Sequence, residues 1–280
     1  MLDKVIDILS KYNLSIEYDD SKIGKCMGIG DLLFNKLVRQ NKLVSEILYI
    51  NVLHFTDQSW YPDPLNALEF RIKLLIELFP SFHNVKFIFS NNRHICQDIP
   101  YQSLDNFELV LNPDFFNGYI SKNYSNYLIF HTKCRFISNF DYQELKFQLK
   151  TFFTDYKSKF KIIIMGEQTF PHTLEAGIHG ITTIYNELLH LSNNNEIIDL
   201  TKPEIYNELN FDNFKKDLFL IKHANYNIGV GYGGQLCSSL MFGKTIYYYP
   251  TEIFNQEALQ RNKHFHFTNL TNFFNFINLI

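Results

Sequence analysis

The sequence predicts an α/β protein of two doubly wound domains, residues 1–123 and 124–280, facing a central cleft. Three observations carry this reading. Short apolar strands alternate with helices, a segment rich in Asn, Pro, Gly and Ser (Asn112–Asn126) divides the chain, and glycines cluster once in each half. Alternation of this kind builds parallel sheets covered by helices. Gly24, Gly28 and Gly30 lie in one half and Gly229, Gly231, Gly233 and Gly234 in the other, which predicts two half-sites on one cleft.

In the first half, helical spacing predicts a helix over Leu2–Lys11, followed by the loop with the first glycine cluster and a helix opening near Asp31 through LLFNKLVRQ. A strand EILYINVL, a helix LNALEFRIKLLIELF and strands VKFIFS and FELVLN follow. The second half reads as strand YLIFH, a helix from about Phe140 to Tyr156, strand KIIIMG, helix IYNELLHL, strand EIIDL and helix FDNFKKDLFLIKHA. Strand YNIGVG, helix QLCSSLMFG, strand TIYYY and a final amphipathic segment FTNLTNFFNFINLI complete it. Such sheets bind ligands beyond the carboxyl ends of their strands. His131, Thr132, Lys133 and Arg135, then Glu167 and Gln168, then Asp199 and Thr201, then the Gly229–Gly234 loop, then Thr251 and Glu252 fall at those ends.

Composition narrows the classes of function. A formal net charge of −3 and a pI near 6.4 give no electrostatic footprint for nucleic acid or an anionic membrane. The four cysteines, Cys26, Cys96, Cys134 and Cys237, are scattered and form no CxxC pair, which argues against a disulfide scaffold and a structural zinc site and predicts a reducing, cytoplasmic setting. The first twenty residues carry acids among the apolar positions and predict no signal peptide, and no stretch approaches the ~20 apolar residues of a membrane span. Peripheral membrane contact stays open.

The run YNIGVGYGGQLCSSLMFGKTIYYYP is the most specific feature: strand, glycine turn, helix and strand in succession. Glycines let the backbone approach a ligand closely, and free N–H groups at a helix start favour an anion. With GIGDLLFNKL, KIIIMGE, EIIDLT and the helix ending LIKHA, this order resembles the GT-B glycosyltransferases, specifically the heptosyltransferase-like family. The resemblance covers most of residues 126–280 and one short anchor in the first half. It implies two Rossmann-like domains, with donor held by the second and acceptor by the first, and a sugar passed from a nucleotide diphosphate to a hydroxyl, inverting and without metal or other cofactor. It further implies Asp31 as general base, beside Gly28 and Gly30 on the acceptor side of the cleft. Thr132, Lys133, Arg135, Glu167, Asp199, Gly231, Tyr232, Gly233, Gly234, Gln235 and Glu252 are the donor-binding candidates. The family's acidic residue and proline in the donor loop are replaced by Gly231, Tyr232 and Gly233, and Lys202 stands where a glycine is usual.

Other readings compete at the same residues. Asp31 after glycine and before an apolar run also reads as a helix N-cap. Gly229, Gly231 and Gly234 satisfy GxGxxG, but only about thirty residues follow Pro250, too few to complete a dinucleotide fold from there. His264 and His266 read as packing or surface histidines, and His131 as a packed strand end. A nucleotide-sugar 2-epimerase of the same fold and a non-catalytic nucleotide-binding protein remain alternatives to the transferase.

Overall fold

The computed structural model describes residues 1–22, 24, 47–56, 63–78, 84–91, 112–116, 125–136, 139–155, 160–168, 180–190, 197–201, 210–231, 234–251, 259–260 and 263–280. The chain divides into two compact units. The first comprises Met1–Tyr101, Asn106–Tyr119 and Tyr206–Lys216; the second comprises Gln102–Asp105, Ile120–Ile205 and Asp217–Ile280. No described helix is long and apolar enough to cross a membrane.

The first unit holds a parallel sheet of three described strands, β1 (Ile16–Tyr18), β2 (Leu48–Asn51) and β3 (Val85–Phe89), ordered β1-β3-β2. Around it lie helices α1 (Leu2–Lys11), α2 (Leu53–Thr56) and α3 (Pro64–Leu78). Helix α3 starts where the sequence supplies a cap and a proline: the Asp63 carboxylate accepts from the Asn66 N–H at 3.1 Å, and Pro64 has no N–H to leave unpaired. Ala67, Leu68, Phe70, Ile72, Leu74, Leu75 and Leu78 are all buried, so α3 is covered on most sides. Asn51 locks the carboxyl ends of β2 and β3, donating from Nδ2 to the Ser90 carbonyl at 2.9 Å and accepting the Leu53 N–H on Oδ1. Gly24 packs against Asn51 so closely that a Cβ would overlap the asparagine's own Cβ and backbone, which leaves room only for glycine.

The second unit is a six-stranded, fully parallel sheet of β4 (Tyr127–His131), β6 (Lys161–Met165), β8 (Ile197–Asp199), β9 (Tyr226–Val230), β10 (Thr245–Tyr248) and β11 (Phe265–Phe267). In space the order is β8-β6-β4-β9-β10-β11. Numbered by appearance within the unit, this is 3-2-1-4-5-6, the order of nucleotide-binding doubly wound sheets. On one face Leu128, Phe130, Ile162, Ile164, Ile228, Val230, Ile246 and Tyr248 form a core with α4 (Asn139–Asp155) and α8 (Leu270–Ile277). Across the other face run α6 (Phe211–His223), reached by the Tyr127 hydroxyl at the Leu220 carbonyl (2.7 Å), and α7 (Gly234–Phe242), reached by His131 at Ser239 (2.9 Å). Strands buried on both faces read as near-continuous apolar runs, which is why YLIFH and KIIIM stand out in the sequence. Two elements escape that signal. A short antiparallel ribbon, β5 (Lys133–Phe136) with β7 (Gly180–Thr183), lies just past β4 ahead of α5 (Tyr185–His190), and β11 adds a sixth strand from FHF.

The α/β class with parallel sheets and flanking helices is thus as the sequence predicts. Helix α1 spans the expected residues, whereas Ile16–Tyr18, read as loop, is a strand. The expected helix after Asp31 and strand FELVLN lie outside the described residues.

Candidate functional site

The 3-2-1-4-5-6 order has one switch point, between β4 and β9, where connections leave in opposite directions and the carboxyl ends open a crevice. Thr132 and Lys133 follow β4, and Gly231 follows β9. Gly231 adopts φ 92°, a left-handed conformation that favours glycine, and its N–H donates to the Tyr248 carbonyl at 2.8 Å. The chain then enters α7 at Gly234, whose first N–H groups have no partner within the helix.

On the β4 side Thr132 is fully buried and committed to structure. Its N–H donates to the Met165 carbonyl, its hydroxyl to the Glu167 carbonyl at 2.7 Å, and its own carbonyl accepts from Ile184 N–H. Glu167, one residue past Gly166 at the end of β6, is 1% exposed. Lys133 Nζ lies 3.9 Å from Glu167 Oε1, while among the described residues Oε2 has no hydrogen-bond partner. Burial raises the Glu167 pKa and the Lys133 ammonium partly offsets this. A buried carboxylate with an unused oxygen can accept a hydrogen bond from a ligand hydroxyl or amine.

Further along the edge the polar groups are chained together. Thr183 donates to the Gln168 carbonyl, Gln168 Nε2 to Thr201 Oγ1 (3.0 Å), and Thr201 Oγ1 to Asp199 Oδ1 (2.6 Å), while Tyr185 donates to Asp199 Oδ2 (3.1 Å). Asp199 is exposed on the outermost strand β8, two strand spacings from β4, roughly 10 Å.

His131 closes β4 on the α7 side. It is 4% exposed, with Nε2 2.9 Å from Ser239 Oγ and the Asn227 side chain hydrogen-bonded to the ring. Burial pushes it down to about 4, opposed by the Asn227 side chain alongside, so the ring is neutral at pH 7. His264 and His266 are buried on the far side of the sheet order: His264 Nδ1 accepts the Thr245 N–H at 3.2 Å, and His266 stacks on Tyr247 and meets the Tyr249 carbonyl at 3.0 Å. Among the described residues no cluster of three metal-ligating side chains occurs.

The structure therefore brings Thr132, Lys133, Glu167, Gly231 and Gly234 to one strand edge and puts Asp199 at its margin. Arg135 lies in β5 opposite Ile181 and Gln235 in α7, both by backbone; their side chains are outside the described residues, as are Asp31, Gly28, Gly30, Tyr232, Gly233 and Glu252 entirely. Sequence reasoning missed the His131–Ser239 pair and the Gln168–Thr201–Asp199–Tyr185 chain. Neither had a local signal, because each joins residues many positions apart. No family model, no curated protein and no solved structure matches this chain.

Proposed function

We propose that this protein transfers a sugar from a nucleotide-diphosphate sugar to a hydroxyl acceptor, with a GT-B arrangement in which the second unit holds the donor and the first the acceptor. The observation that carries the reading is the 3-2-1-4-5-6 parallel sheet, whose switch point sets the Gly231 turn and the start of α7 against Thr132 and Lys133. The Gly231 N–H is committed to the Tyr248 carbonyl, so the diphosphate is taken by the N–H groups of Gly233, Gly234 and Gln235, with Lys133 and Arg135 countering its charge. Glu167 accepts hydrogen bonds from the ribose or base, and Asp199, Tyr232 and Glu252 are further donor-binding residues. During transfer the acceptor oxygen bonds to the anomeric carbon as the bond to the diphosphate oxygen breaks. Asp31, beside Gly28 and Gly30, takes the hydroxyl proton, a contribution of about 10² to 10⁴ in rate, while the turn and Lys133 stabilise the departing charge. The reaction needs no metal or other cofactor, involves no nucleic acid, and takes place in the cytoplasm.

The test is a thermal-shift screen of the full chain against ADP-, GDP-, UDP-, CDP- and dTDP-sugars, with NAD and NADP as competitors and EDTA throughout, followed by product analysis. Donor at about 100 times its Kd should add roughly 2.7 kcal/mol of stability. Stabilisation by one nucleotide-sugar class, and release of its nucleoside diphosphate with an acceptor, supports the reading. A response to NAD or NADP alone sinks it. An epimerised donor, or binding with no turnover, replaces transfer by the epimerase or non-catalytic alternative.

A further inference from the structure

Strand β9 carries a polar residue where a strand covered on both faces is ordinarily apolar. Asn227 is buried within the sheet, opposite Ile129 of β4 on one side and Thr245 of β10 on the other. Its Nδ2 donates to the Ile221 carbonyl of α6 at 2.9 Å and to the Lys244 carbonyl at 3.2 Å. Both amide hydrogens are thereby used, so the oxygen is the atom left for the His131 ring, to which the side chain is hydrogen-bonded. His131 stands two residues beyond Ile129 and so projects to the same face as Asn227. The neutral ring gives its one N–H to that oxygen, which leaves Nε2 to accept from the Ser239 hydroxyl at 2.9 Å. Amide, imidazole and hydroxyl, all three buried, thus form a directed chain from the sheet into the middle of the nine-residue helix α7. Ser239 lies five residues after Gly234, about 7.5 Å along the helix axis, and His131 runs directly into Thr132 and Lys133. One hydrogen bond therefore joins the two sides of the switch point just beneath the strand edge.

We propose that His131 is a positioning residue for the bound nucleotide: through Ser239 it fixes the axial setting and rotation of α7, and with them the Gly234 and Gln235 N–H groups that take the diphosphate. The inference rests on the nucleotide reading above and adds to it the residues that set the phosphate grip. His131 itself touches no ligand. Apolar packing is non-directional and tolerates small slides and rotations of a helix over a sheet. A buried hydrogen bond is satisfied at one setting, and leaving its acceptor bare is costly, so the pair selects that setting among those the packing allows. The nucleoside end of the ligand, which the same reading gives to Glu167 at the end of β6, does not depend on where α7 stands.

The experiment uses the full chain as wild type, Ser239→Ala and Phe273→Leu, with ADP, GDP, UDP, CDP and the four corresponding nucleosides. Affinities come from calorimetry and NMR titration well below the thermal midpoints. Alanine is the best helix former, so Ser239→Ala keeps α7 while removing the hydroxyl. Phe273→Leu is the control for general loosening, since Phe273 belongs to the core on the opposite face of the sheet. The diphosphate that binds the wild type should bind Ser239→Ala about tenfold or more weakly. Its nucleoside should bind Ser239→Ala within about twofold of the wild type, and Phe273→Leu should hold both ligands within that range despite a lower midpoint. Equal diphosphate affinity in wild type and Ser239→Ala overturns the proposal while leaving nucleotide binding intact. Equal weakening of diphosphate and nucleoside also overturns it, because the bond then supports the fold and not the phosphate grip. So does a selective loss of diphosphate affinity in Phe273→Leu, which would trace the effect to loosening anywhere in the unit. Absence of binding by all four diphosphates to the wild type brings down the nucleotide reading itself and this proposal with it.

Discussion

Two buried imidazoles place an acid limit on the second unit. Burial pushes both His131 and His264 from 6.5 down to about 4. Between those values the unfolded chain binds protons that the folded chain refuses, so stability is complete above pH 6.5 and falls as pH drops toward 4. Each histidine contributes a slope of up to roughly 1.4 kcal/mol per pH unit. Urea midpoints measured from pH 7.5 to 4 should decline steeply below 6.5, and a flat profile would contradict the burial of these rings. Glu167 works in the opposite sense. Its raised pKa means that the folded protein resists ionising it, so its carboxylate subtracts stability once pH rises above the ordinary carboxylate range. Glu167→Gln should therefore raise the thermal midpoint at pH 7, with the gain vanishing at acidic pH, while weakening nucleotide-sugar binding. A variant less stable at pH 7 would show that Lys133 outweighs burial.

At the level of elements, the turn from α7 into β10 depends on a glycine. The Gly243 N–H closes the helix on the Ser239 carbonyl, and a Cβ there would collide with Asn227 Nδ2 and the Ile221 carbonyl. Asn227 uses that Nδ2 to bond Ile221 (2.9 Å) and Lys244 (3.2 Å), so it cannot withdraw without losing both. Gly243→Ala should cost about 2 to 4 kcal/mol, read from the denaturation midpoint. In the C-terminal helix α8, Phe273 packs against Tyr248, Phe267 and Phe274, and Phe273→Ala should cost about 3 to 5 kcal/mol by the same measurement. Strands β4, β6, β9 and β10 were legible in the sequence because burial on both faces leaves unbroken apolar runs between turn residues. The β5–β7 ribbon was not, since Lys133–Phe136 continues directly from β4 and its partner lies more than forty residues on. Strand β11 is only three residues, and His266 at its centre breaks the apolar run. For the site, the glycine turn was visible as composition and Lys133 and Glu167 as polar residues at strand ends. The His131–Ser239 pair was not, because it joins a strand end to a helix more than a hundred residues on.

At the level of the whole molecule, the division into units does not follow one cut in the chain. Residues Tyr206–Lys216 belong to the first unit, and there Phe211 and Phe214 pack edge-on against Phe70, with centroids at 5.6 and 5.0 Å. Lys215 adds an ion pair to Glu77 at 2.9 Å. Separated fragments 1–119 and 120–280 are each expected to be incomplete: the first lacks the cover over Phe70, and the second carries two phenylalanines with nothing to rest on. Co-expressed, they should purify together, and a tag on either should retain the other. Two soluble, independent monomers would refute this division.

The same segment sets an order of events during synthesis. A first domain ordinarily folds as soon as it leaves the ribosome, at about 5–20 residues per second. Here the amino-terminal unit waits for α6, roughly 100 residues beyond Tyr119, a delay on the order of 5 to 20 seconds. Throughout it, the Phe70 face of α3 is an unfinished surface in a crowded cell, and the nascent chain is then a client for chaperones in a way that its finished core conceals.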